Sequence, residues 1–108
     1  MKNKQIEKIQ IKLLQTIDNP LNDNVDVVIS IADKIFSATF FTLQNVSELM
    51  AKWEKTGECQ TSAYFWAVDS VIVHKLDVIS IESVIAELLE NGEFYKVFHD
   101  ITNGVQSI

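Results

Sequence analysis

Ile6, Ile9, Leu13 and Ile17 recur at steps of three and four residues, which places them on one face of a helix over residues 3–18. Lys4, Lys8 and Lys12 form a separate stripe, and Ile11 lies away from the main apolar face. Asn19-Pro20 ends the segment, because the residue before a proline avoids the α region. Residues 25–31 are rich in β-branched side chains and also fit a strand. The polar positions decide for a helix over 24–41: Asp26, Ser30, Asp33 and Ser37 make one solvent face, with Val28, Ile31, Ala32, Ile35 and Phe36 opposite. Asp23 or Asn24 can cap its start.

A third helix is expected over 46–56, with Val46, Leu49, Met50 and Trp53 as its apolar stripe. Asn45 and Glu48 resemble a capping box at its start, and Gly57 suits the position just past its end. A fourth is expected over 62–78, capped by Thr61 or Ser62, although a strand within residues 71–81 would break it. A fifth over 81–90, capped by Ser80, turns Ile81, Val84, Ile85 and Leu88 inward and stops at Asn91-Gly92. A sixth over 93–102 turns Phe94, Val97, Phe98 and Ile101 inward and ends at Asn103-Gly104. Short connections between amphipathic helices make the expected fold all-α, a compact bundle of about five to six helices in one domain over 1–108.

Composition bounds the function. At 108 residues the chain has room for one core, and 47% hydrophobic residues supply it. The single Cys59 permits no internal disulfide, and no apolar run is long enough to span a membrane, so a cytoplasmic bacterial or phage setting is expected. The net charge is −6, and arginine, the usual residue for guanine and bidentate phosphate contacts, is absent. Sequence-specific nucleic-acid binding is therefore not expected.

No residue pattern carries a recognised chemistry. His74 and His99 lack a second ligand at metal-site spacing, so both read as surface or core-edge residues. Cys59 follows Glu58, which opposes the electropositive setting that a reactive thiol needs. Residues 18–26 are rich in Asp and Asn, but a calcium loop opening at Asn22 would put Val27 where glycine is required and Asp33 where glutamate is required. That stretch reads as a polar turn. Gly57, Gly92 and Gly104 are too dispersed for a phosphate cradle. Neither a cofactor nor enzymatic activity is expected.

Two surfaces could bind. On the expected helix over 62–78, Ser62, Trp66, Asp69, Val73 and Asp77 share one sector, with Phe65, Val68, Ile72 and Leu76 opposite. Trp66 ringed by acids reads either as an interface anchor or as core beneath another helix, and both readings stand on sequence alone. The lysine stripe over residues 4–12 reads as a solvated face or a contact for an anionic partner. Together these features lead to the expectation of a small acidic protein-binding domain. By analogy of size and charge alone, it is comparable to an inhibitor, immunity protein or antitoxin. Trp66, Asp69, Val73 and Asp77 would be its partner-binding residues against a basic protein surface. The alternative is a helical adaptor that works through self-association as a homodimer.

Overall fold

Val25, Val27, Ile29 and Ile31 are buried and alternate with Asp26, Val28 and Ser30, which are only partly so. In the computed structural model, which describes residues 8–103, that alternation belongs to a strand. The fold is mixed α/β and not an all-α bundle. Strands β1 (Ile9–Leu13), β2 (Asn24–Ile31) and β3 (Lys34–Thr42) form an antiparallel meander. Helix α1 (Leu43–Thr56) and the short α2 (Glu58–Ser62) then lead to β4 (Ser70–Val73), which pairs parallel to β3. Helix α3 (Val78–Glu90) and the single turn α4 (Phe94–Val97) precede β5 (His99–Asp100), which pairs antiparallel with the start of β3.

Three expected helices are thus replaced. The segment over 3–18 contains β1, and its Ile6 and Lys4 lie outside the described residues. The helix expected over 24–41 is the β2–β3 hairpin, which turns at Ala32-Asp33 with Ala32 at φ 56°. The helix over 62–78 is the end of α2, a loop over 63–69 and β4. The last expected helix survives as the four residues of α4 before the chain enters β5.

One face of the sheet holds the core. Val25 pairs with Phe40, Val27 with Ala38 and Ile29 with Phe36, and all six side chains point to the same side. Ile81 and Ile85 of α3, with Leu76, Phe94 and Phe98, cover that side. Phe94 and Phe98 stack at 4.4 Å between ring centroids, and Phe36 meets Phe94 edge-on at 5.2 Å. Helix α1 begins at Thr42, not at Asn45. The fully buried Thr42 hydroxyl accepts hydrogen bonds from the backbone N–H groups of Asn45 and Asp23 at 3.0 and 3.2 Å. Gly57 takes φ 86° at its end, the left-handed conformation expected there.

Asp77 caps α3 by accepting a 2.7 Å hydrogen bond from the Ser80 N–H. Its carboxyl is held below the usual carboxylate range chiefly by that bond, then by the Ser80 hydroxyl, with Lys75 at 3.5 Å adding a smaller effect. Asp23 is lowered too, first by the Asp18 N–H, as it gathers the backbone of the 18–24 turn. A carboxyl whose pKa is lower folded than unfolded stabilises the fold above its unfolded value, about 3.9, and loses that contribution as pH falls through the folded value. Urea midpoints should therefore be flat from neutral pH to about pH 5 and decline below about pH 4. Asp77→Asn, which keeps a capping oxygen without the charge, should make that decline shallower. An unchanged acid limb would remove Asp77 from this account.

Candidate binding surface

Among the described residues, the opposite face of the sheet has no helical layer comparable to α3. By strand alternation it carries Lys12 from β1, Asp26, Val28 and Ser30 from β2, and Ser37, Thr39 and Phe41 from β3. One end of it is covered, where Phe65 packs edge-on against Phe41 at 5.2 Å and stacks on Trp53 of α1 at 5.4 Å. Beside this aromatic cluster lies an open groove of ≈ 310 Å³. Val28, Ser37 and Thr39 line it, with Leu14, Val68 and Ile101 contributing its apolar walls.

Thr39 holds the Asp26 carboxylate and the Asp69 backbone in this groove. The Thr39 hydroxyl donates to Asp26 Oδ1 at 2.6 Å, and the Thr39 N–H donates to the Asp69 carbonyl at 2.9 Å. Gln15 holds Asp26 from the other side: its Nε2 donates to Asp26 Oδ2 at 3.1 Å, and its Oε1 accepts from the Asp26 N–H at 2.8 Å. The Thr39 hydroxyl and the Gln15 amide orient the Asp26 carboxylate without neutralising it, so the groove presents one fixed negative charge between apolar walls. Among the described residues, the groove lining contains no lysine; Lys12 is on the same face, directly opposite Val28.

The loop over 63–69 rises at the margin of the groove and exposes its large side chains. Trp66 is 67% exposed and Val68 is 70% exposed, with Tyr64 also largely exposed. Trp66 is therefore not core. The residues expected to bind a partner are not gathered on one helix face, because that helix does not exist. Trp66 and Asp69 belong to the loop, and Asp69 lines the groove at φ 49°. Val73 ends β4 and packs against the core, while Asp77 caps α3. Leu14, Gln15, Val28, Thr39 and Val68 were not picked out from the sequence as members of this surface. The alternation of residues 25–31 is the only local signal that would have placed Asp26 and Val28 together on it.

Of the residues weighed for chemistry, Asp26 lines this groove and His99 pairs across strands with its Ser37, while His74 and Cys59 do not line it. His74 and His99 are exposed, on the segment after β4 and on β5. Cys59 is partly buried in α2, where Cys59, Gln60 and Ser62 all take left-handed φ values. Among the described residues there is no cluster of three or more His, Cys, Asp or Glu able to hold a metal ion. Among the same residues no helix is long and apolar enough to cross a membrane. Comparison with protein-family models, with curated proteins and with solved structures finds no match.

Proposed function

We propose that this chain is a non-enzymatic binding domain that seats a basic, partly apolar surface of another protein on the open face of its sheet. The observation that carries this reading is the exposed Trp66–Val68 edge beside a groove holding the fixed carboxylate of Asp26. Apolar anchors contribute affinity by leaving water, and exposed tryptophans are enriched among the residues that dominate interfaces. Oriented acids choose the sign of the partner and speed encounter. The net charge of −6 favours the same class of partner at longer range. An inhibitor or immunity-type role is one way to use such a surface.

The test is affinity capture from the source organism's lysate at low and high salt, with wild type, Trp66→Ala and Asp26→Asn compared. Wild type should retain a stoichiometric basic protein, less of it at high salt. Trp66→Ala should weaken that complex by about thirtyfold, the ~2 kcal/mol of an interface hot spot. The far-UV circular dichroism should not change, because the indole is mostly in water. A partner retained equally by Trp66→Ala would overturn the assignment of the surface. Recovery of the chain alone, with a dimer in light scattering, would replace it with self-association.

A further inference from the structure

A second surface differs in kind, because what it offers is backbone. β4 pairs with β3 alone, so one of its two edges is free of sheet partners among the described residues. The ladder geometry says which groups face outward. Thr39 pairs with Ser70, and the Thr39 N–H reaches the carbonyl of Asp69. In a parallel ladder this alternation directs Asp69, Val71 and Val73 toward β3 and leaves the N–H and C=O of Ser70 and Ile72 pointing away. Unpaired strand groups in this arrangement are a template for another strand.

The strands at the two ends of the β1–β2–β3–β4 path are guarded differently. β1 carries the exposed Lys12 and follows the exposed Lys8, the kind of charge that discourages pairing at an edge. Ser70, Val71, Ile72 and Val73 carry no charge at all. At the end of β4 a cleft of ≈ 480 Å³ opens between Val73 and α3, with Val73, Ile79 and Val84 as its apolar lining and His74, Lys75, Ser80 and Ser83 as its polar one. Ile79 is 78% exposed there, the most exposed large apolar side chain among the described residues.

We propose that the β4 edge and the α3 cleft form a strand-addition site for an extended, cationic segment of a partner protein. The added strand takes hydrogen bonds from Ser70 and Ile72. Alternate side chains enter the cleft against Val73, Ile79 and Val84, and the intervening ones project over the open face. Charge selects a cationic segment. Asp69, just before β4, lines the groove on the open side over which the intervening side chains project, and the chain as a whole carries −6. The basic side chains in the cleft lining are His74 and Lys75, and Lys75 is already paired with Asp77 at 3.5 Å.

The probe is a capped octapeptide of alternating valine and lysine, titrated into the isotope-labelled full chain. Saturable binding should shift the Ser70 and Ile72 amides and slow their hydrogen exchange by about tenfold or more. The same peptide N-methylated at every residue, which keeps its charge and loses the donors of both edges, should give no such protection. Ile79→Lys, at a position mostly in water, should weaken binding by about tenfold. Trp66→Ala should leave it unchanged, which separates this site from the surface of the proposed function. No saturable shift at about 1 mM peptide, protection confined to β1, or equal protection by the methylated peptide would each overturn the proposal.

Discussion

Phe94→Ala should lower the free energy of unfolding by about 3–5 kcal/mol, as expected for emptying a fully buried aromatic site. Phe94 has no solvent exposure and joins the two layers. Its ring stacks on Phe98, meets Phe36 edge-on and also touches Tyr95, with centroids 5.1 Å apart. The surrounding groups are held by β3 and by the turn of α4, so they can close the void only in part. Domains of this kind have about 5–15 kcal/mol in total, so this one truncation should bring the midpoint of a urea titration close to the native baseline. Tyr95→Ala is the control. Tyr95 contacts Phe36 and Phe94 but is mostly in solvent, and its loss should cost about 1 kcal/mol. If both variants lost less than about 1 kcal/mol, Phe94 would not join the layers as described.

The parts of the fold legible in the sequence were those whose geometry is local. α1 and α3 have apolar stripes at helical spacing and stop signals in Gly57 and Asn91-Gly92, and both form close to where they are expected. Their caps moved to Thr42 and Asp77, side chains just outside the expected bounds. The inward direction of Phe94 and Phe98 was also legible. The strands were not, for particular reasons. Ile11 sat badly on a helical face because Ile9, Ile11 and Leu13 alternate along β1, with Ile11 and Leu13 packed toward the core. Val28 hid the alternation of β2 by placing an apolar residue on the open face. The hairpin turns at Ala32-Asp33, without the glycine or asparagine that announces such a turn. Trp66, Asp69, Val73 and Asp77 keep a helical spacing by coincidence while passing through a loop, a strand and a cap. β5 is two residues long and exists only because Phe36 and Ser37 offer an edge.

The candidate surface divides along the same line. Trp66 and Asp69 could be singled out because a tryptophan among acids is conspicuous in one dimension. Leu14, Thr39 and Val68 could not, since strand pairing and the long β3–β4 connection bring them to Asp26. Gln15 was invisible for a further reason. It lies just past the end of β1, and its amide takes up the Asp26 backbone donor and carboxylate together.

The strand register makes its own sharp prediction, one in which neighbouring residues have opposite fates. Ile29→Asp should cost at least about 4 kcal/mol, because it puts a carboxylate with no partner into the apolar core between Phe36 and the helical layer. Val28→Asp should change stability by no more than about 1 kcal/mol, since that side chain lies on the open face directly opposite Lys12, where a cross-strand ion pair offsets lost apolar contact. The helix expected over 24–41 instead puts Val28 on its inward face, where a carboxylate would be costly. The two variants should also respond differently to acid. Burial raises the pKa of the introduced Asp at position 29 above its unfolded value, so its penalty shrinks as pH falls from 7 toward about 5. Wild type gains nothing over that interval, because its lowered carboxyls lose their contribution only further into acid. Circular dichroism at both pH values reads the outcome. A folded Ile29→Asp beside an unfolded Val28→Asp would overturn the register, and with it the open face on which the binding surface is built.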